Sequence, residues 1–339
     1  MKTLKLDAIK DCANAVNTAS EILKKGGIVA VPTETVYGLA ASAYSDDAIK
    51  SVFTAKGRPQ DNPLIVHIAN LEMLNDIACD IPTVAYDCAK SFWPGPFTMV
   101  LPKGDKIADS VSGGLKTVAV RFPSEKIICD IINKSGLPLA APSANTSGRP
   151  SPTAAAHVID DLDGKIDAVV IGNECKVGVE STVVSLVGEN PRLLRPGAVT
   201  PEQLRKVLPN LIIDDAVLEK LKDDETAASP GMKYKHYAPK TNAFLVEGCS
   251  NSFVRFVNSK ENCAAICFEE EYYSINVPKI SYGSKRNESS LAQNVFSVLR
   301  DIDSFNVNEV YIHAPGKEGV GLAVYNRLIR ACGFEVIKL

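Results

Sequence analysis

Residues 28–67 place the tightest limit on what this chain can become. Residues 28–31 are an apolar run of strand type, closed by Pro32 and followed at once by Thr33-Glu34-Thr35. A helix comes next. Ser45 or Asp46 caps it, Asp47 lies in its first turn, Ala48, Ile49, Val52 and Phe53 give it an apolar stripe, and Gly57 stops it. Lys56, Arg58 and Asn62 then crowd a loop bounded by Gly and Pro, before a second apolar strand over 63–69 that carries a lone His67. Strand, polar elbow, helix, basic loop and strand form a site-building unit, and its cations ask for an anion.

That unit is a small part of 339 residues, which exceed one ordinary core and set about two domains as the expectation. The expected division is a catalytic unit over 1–212, a linker over 213–240 and a smaller unit over 241–339. The net charge of −3 gives no global basic field, so any anion site is local. Nine cysteines without CxxC pairs fit a reducing compartment better than a disulfide framework. Cys263 and Cys267 share one apolar strand and make no metal knuckle. The start of the chain has no apolar leader segment and no run approaches a membrane span, so a cytoplasmic protein is expected.

Along the first unit, Trp93-Pro94-Gly95-Pro96 is a rigid turn feeding a strand over 97–101, with Trp93 packing in that turn. In the strand 117–122, period-two alternation sends Val118, Val120 and Phe122 to one face and Thr117, Ala119 and Arg121 to the other. Arg121 and Thr117 separated by a small alanine leave room for a polar ligand, although a solvated edge fits the same pattern. An apolar run over 137–141 enters the loop 142–153, rich in small hydroxylated residues, glycine and proline. The loop leads into a helix over 153–161, with Ser151 as its expected N-cap and Pro152 in the first turn. Such a helix start suits an anion, but neither a Walker A loop nor GxGxxG is present. Thr200-Pro201-Glu202 starts a capped helix. Glu34 and Glu180 could form an acid/base pair, yet solvated or ion-paired glutamates fit the pattern better.

The stretch 214–240 opens as an acidic helical piece over 214–224, then alternates bases with aromatics in MKYKHY, a composition suited to lying across an anionic or planar ligand. From 243 on, strands expected at 243–247, 263–268, 277–281, 309–314 and 334–338 alternate with helices near 251–259, 289–302 and 319–331. That is a small Rossmann-like parallel α/β domain. Its last helix reads as amphipathic and structural.

PTETVYGL, KGRP with Asn62 just after it, PLIVHI, TVAVRFP, APSANTSGRPSPT, GVESTVV and LLRPG, in that order, resemble the YrdC-like domain family. SPGMKYKHYAP and the closing GVGLAVYNRL resemble its two-domain branch, the threonylcarbamoyl-AMP synthases. The resemblance implies an α/β fold, a YrdC-like twisted mixed sheet with an open, positively lined cavity. It also implies a reaction in which L-threonine, bicarbonate and ATP give threonylcarbamoyl-adenylate and pyrophosphate. By motif, Arg58, Asn62, Thr117, Ser143, Ser151 and Arg195 are implied to hold the nucleotide. Thr35, His67, Arg121, Ala141 (through its backbone) and Ser181 are implied to hold threonine. Lys56 with Arg58 is implied to clamp the phosphates, and linker tyrosines to close the cavity, Tyr234 being the one expected at the nucleotide.

This chemistry needs no side-chain nucleophile, and the sequence offers no Ser-His-Asp or Cys-His arrangement. Transfers at phosphorus depend on positioning and charge neutralisation, with Mg2+ held mainly through phosphates rather than by a protein cluster. The implied product passes to a tRNA threonylcarbamoyl transferase complex that modifies an adenosine beside the anticodon. A different class of function remains open at this stage: a non-catalytic RNA-binding module using the same basic cavity, with weak RNA contact. The linker's base–aromatic interleaving favours it; the net charge and the lack of an RNP-like or KH-like signature oppose it. Carbamoyl transfer from carbamoyl phosphate is a second enzymatic alternative, which the linker and following domain oppose.

Overall fold

The computed structural model describes residues 2–219 and 237–339. The short apolar runs of the first unit assemble into one eleven-stranded mixed sheet. Its spatial order is Leu4–Asp7, Ala168–Ile171, Val29–Val31, Gly38–Ser42, Leu139–Ala140, Ile65–His67, Thr117–Arg121, Phe97–Pro102, Thr182–Ser185, Arg192–Arg195 and Ile212–Ile213. Ile65–His67 runs parallel to Thr117–Arg121 with His67 beside Arg121, while Val29–Val31 and Gly38–Ser42 are antiparallel. Residues scattered from 31 to 195 therefore end up on neighbouring strand ends.

Strand alternation decides which side chains face the core. Val118 and Val120 enter the largest apolar cluster with Leu39, Phe53, Val66 and Phe97, and Phe122 packs against it. Ala119 goes to the opposite face, where it closes a small dry cluster with Ile65, Val100, Val183, Leu194 and Ala216. Arg121 sits on that face and is only 3% exposed, so the solvated-edge reading does not hold.

Two local expectations meet their outcomes here. The helix Asp46–Lys56 has Ser45 accepting from Ala48 N–H at its start and Gly57 at its end with φ 62, a left-handed cap that glycine adopts without strain. This stop fixes Lys56 as the last helical residue, with its side chain turned into the protein. Ser151, by contrast, is not the N-cap of the next expected helix. That helix is Ala155–Leu162, it has Ala154 at its start, and no side chain caps it. The Ser151 hydroxyl donates instead to Glu180 Oε1 at 2.6 Å, because a buried carboxylate is a stronger acceptor than any neutral group near it.

The second sheet has five strands in the order Lys279–Gly283, Cys263–Phe268, Glu309–His313, Asn242–Glu247 and Val336–Lys338, every pair parallel. Helices Ser250–Asn258, Glu288–Asp301 and Gly321–Ala331 alternate with these strands, close to the expected spans. Two expectations change. Within the described residues the acidic piece after Asp214 holds only a short 3-10 turn, Asp215–Val217. Gly321–Ala331 is buried along its whole length rather than on one side. The reason is a second set of neighbours: Asn326 Nδ2 donates to Val217 O at 2.5 Å and Arg330 Nη2 to Ala216 O at 2.6 Å, both on the turn Asp215–Val217, which packs on the first unit's sheet through Ala216.

The two units thus share an interface. Val36 and Val179 of the first pack into the apolar core of the second. Gly178 has φ +80, and a Cβ there would stand 2.3 Å from the Gln293 Cα, so the approach of the helix Glu288–Asp301 depends on glycine.

Candidate active site

The strand ends of the large sheet surround a cleft of about 720 Å³, counting the space open to solvent. Thr35, Lys56, Arg58, His67, Arg121, Ala141, Ser143, Ser181 and Arg195, all expected from the sequence, line it. Asn62, Thr117 and Ser151 are not among the lining residues. Asn62 is buried, and its Oδ1 has no hydrogen-bond partner among the described residues. Thr117 starts the strand that ends in Arg121, and Ser151 reaches the cleft through Glu180. Tyr234 lies outside the described residues.

Each cation has a place set by its element. Lys56 Nζ, at the end of its helix, donates to Ser143 O at 2.5 Å and Asn145 O at 2.6 Å, which ties the basic loop to the hydroxyl-rich loop. Burial, and then the charge of Arg58, push its pKa well below the usual lysine value. Arg121 is gripped on three sides. Nε donates to Gly95 O at 3.3 Å, Nη1 to Thr35 Oγ1 at 2.9 Å, and Nη2 pairs with Glu34 Oε1 at 2.7 Å. The rigid Trp93–Pro96 turn supplies that Gly95 carbonyl, and Trp93 itself donates Nε1–H to Phe97 O at 2.7 Å. Arg195 Nε donates to Ser181 O at 3.0 Å and Nη2 to Ser181 Oγ at 3.1 Å, and Ser181 Oγ lies 2.7 Å from Thr98 Oγ1.

The two glutamates are ion-paired and separate rather than an acid/base couple. Burial works to raise the Glu34 carboxyl, but the charge and hydrogen bond of Arg121 outweigh it and hold it below the usual value. For Glu180, burial is again opposed, by Arg327, Arg195 and the Ser151 hydroxyl, and the carboxyl falls to about 2. His67 is the reverse case: burial and then the Arg121 charge lower it to about 3, so its ring is neutral at physiological pH. Among the described residues, four arginines (Arg58, Arg121, Arg149 and Arg195) and Lys56 line the cleft against one carboxylate, Glu180. A low-dielectric pocket so lined concentrates anions.

With this geometry in view, comparison with known proteins is decisive. A sequence profile of the family described as telomere recombination (Sua5, YciO and YrdC) matches residues 21–197, and one described as the threonylcarbamoyl-AMP synthase C-terminal domain matches 199–333. The chain is 44% identical to threonylcarbamoyl-AMP synthase of Pyrococcus abyssi over 333 residues, 96% of each chain. The chain belongs to the threonylcarbamoyl-AMP synthase family. With the Bacillus subtilis synthase it shares 41% identity over 327 residues, covering 94% of this chain and 93% of that one. The crystal structure of P. abyssi Sua5 complexed with L-threonine superposes with a TM-score of 0.91 at 40% identity over the full length of both chains. A His/Tyr double-alanine variant of P. abyssi Sua5 gives 0.94 at 40% identity, covering 99% of this chain and 98% of that one.

Sequence reasoning missed several lining residues of this family member. Asn145, Ser147 and Arg149 come from the same hydroxyl-rich loop as Ser143, and the loop's Gly and Pro content was the available signal. Tyr237, one of the linker tyrosines expected to close the cavity, lines the cleft. It is buried at φ 63, its ring lies 5.0 Å from that of Phe296 in the second unit, and the next residue, Ala238, donates its N–H to Gly148 O at 3.0 Å. Glu180 is ion-paired, one of the readings preferred from the sequence, but its partner Arg327 lies 147 residues away and was not visible there.

Proposed function

We propose that this cleft makes threonylcarbamoyl-AMP and pyrophosphate from L-threonine, bicarbonate and ATP, and that the product supplies threonylcarbamoyl modification of tRNA beside the anticodon. The observation that carries the reading is the meeting of residues from eight separate segments (33–38, 56–58, 65–67, 121, 141–149, 180–181, 195 and 237) on one cleft, in a chain that matches a family synthase over 96% of each. The enzyme is a nucleotidyltransferase. Bicarbonate takes up a proton and loses water to give CO2, and threonine's neutral amine adds to its carbon and releases a proton to give a carbamate. The carbamate oxygen attacks the α-phosphorus, and the bond from that phosphorus to the bridging oxygen breaks to release pyrophosphate. The protein holds the reactants together and balances charge; orientation of this kind supplies on the order of 7–11 kcal/mol.

In this reading Arg58, Ser143 and Arg195 hold the nucleotide, with Asn62 and Thr117 at its margin and Ser151 acting through Glu180. Lys56 with Arg58 meets the phosphates, and an anion beside Lys56 Nζ restores the proton that burial disfavours. Thr35, neutral His67, Arg121, the Ala141 backbone and Ser181 surround the amino acid. Arg121 pairs with its carboxylate while Glu34 keeps the guanidinium oriented. Glu34 and Glu180 are both committed to arginines, so a Mg2+ that arrives with ATP would rely on phosphate oxygens rather than on these carboxylates.

The reaction is set in the cytoplasm, with the first 212 residues as the catalytic unit and the product passed to a tRNA threonylcarbamoyl transferase complex. Among the described residues no helix is long and apolar enough to cross a membrane. Titration calorimetry with L-threonine, then with L-serine, tests the amino-acid half of the reading. Clear preference for threonine is expected, and equal affinity for both would defeat it.

A further inference from the structure

The accessory unit sends one fully buried guanidinium into the wall of the cleft. Arg327, on the helix Gly321–Ala331, is 0% exposed. Its Nε donates to Glu180 Oε2 at 2.7 Å, Nη2 to Glu180 O at 3.3 Å, and Nη1 to Pro196 O at 2.9 Å. Asn326 Oδ1 accepts from Nη1 at 2.8 Å, which steers the planar fork, and the Asn326 amide is itself tied to Val217 O. One side chain thus joins three pieces of the catalytic unit: the segment 180–181, the turn after Arg195, and, through the other Glu180 oxygen, the Ser151 loop. Ser181 and Arg195, which flank these contacts, line the cleft and bond to each other.

We propose that Arg327 is a positioning residue for the nucleotide side of the cleft, and that supplying it is a function of the C-terminal domain. Domain docking already rests on other contacts. The interface already has Val36 and Val179 in the apolar core, Asn326 and Arg330 on backbone carbonyls, and Arg300 pairing with Asp161 at 2.9 Å. What Arg327 adds is the directly bonded cation that neutralises Glu180, with Arg195 as a second cation nearby. Without it, a buried carboxylate is left beside Ser181 and seeks another cation or a proton, and the wall moves with it.

The inference rests on the reading of this cleft as the seat of ATP, so ATP binding to the unmutated full chain is measured first by calorimetry. No binding defeats that reading, whatever the variants do. Given binding, Arg327→Met removes the charge but keeps the aliphatic bulk. Its KM for ATP in pyrophosphate release is expected to rise about tenfold or more, because a wall displaced by about 1 Å can cost about a hundredfold. Glu180→Gln/Arg327→Met is expected to regain most of the loss, since no orphaned carboxylate remains. A double variant no better than the single one means that Arg327 only docks the domains, and an unchanged KM in Arg327→Met means that it does nothing here; either result overturns the inference. Where Arg327→Met does not fold, as judged by thermal melting, Arg327→Lys carries the test. Lysine keeps a charge for Glu180 but loses the fork to Pro196 O, so an intermediate KM is expected and an unchanged KM overturns the proposal.

Discussion

Arg121→Met separates two roles of one side chain, its ion pair with Glu34 and its proposed contact with the threonine carboxylate. The ion pair with Glu34 is 2.7 Å long, and its side chains are 4% and 8% exposed. Removing one partner of so dry a pair strands the other and costs about 3–5 kcal/mol. For a chain of this size that is a fall in Tm on the order of 10 °C. The lost charge-assisted bond to the threonine carboxylate is worth a further ~1.5–3 kcal/mol of binding, roughly a 10–150-fold rise in KM for threonine. Glu34→Gln/Arg121→Met removes both charges at once. It is expected to recover most of the Tm, by differential scanning calorimetry, while its KM for threonine in pyrophosphate release stays as high as in the single variant. A double variant that binds threonine as the unmutated chain does would refute the reasoning, because Arg121 would then be purely structural.

Other expectations follow from individual contacts. His67 falls from 6.5 to about 3 on folding, so the unfolded chain binds its proton first, and stability present above pH 6.5 is lost as pH falls toward 3. The loss is about 5 kcal/mol, and His67→Gln should flatten the Tm profile over that window; an unaltered profile would show that His67 is not the group responsible. Ser151→Ala leaves Glu180 Oε1 without its 2.6 Å donor and should lower stability by about 1–3 kcal/mol in urea titrations, with no loss contradicting the observed bond. Gly178→Ala meets both the positive φ and the Gln293 backbone at 2.3 Å. It should loosen the two units, seen as faster limited proteolysis, and an unchanged digestion pattern would argue against the close approach.

How much of this was legible depended on the reach of each interaction. Local signals worked. The Ser45 cap and Gly57 stop delivered Lys56 to the right place, strand alternation put Arg121 and Ala119 on one face, and the βα rhythm after residue 243 produced a wholly parallel sheet. Nonlocal signals did not. Arg121 on its own strand fitted a ligand-facing and a solvated reading equally, because neither Glu34 nor the cluster beneath Ala119 is near it in sequence. Ser151 has the residue type, loop and following proline of a helix cap, yet a carboxylate 29 residues on claims its hydroxyl. The closing helix looked one-sided because its second set of neighbours belongs to the other unit, and only the fold brings Arg327 to Glu180.

The most direct test of the central claim is pyrophosphate release by the full chain, with L-threonine, bicarbonate, ATP and Mg2+ omitted one at a time. The predicted result is release only when all are present, with serine a poor substitute for threonine. Release without threonine would mark a plain nucleotidase or a different acceptor. No release under any combination would contradict the synthase reading itself and leave the cleft as a docking groove.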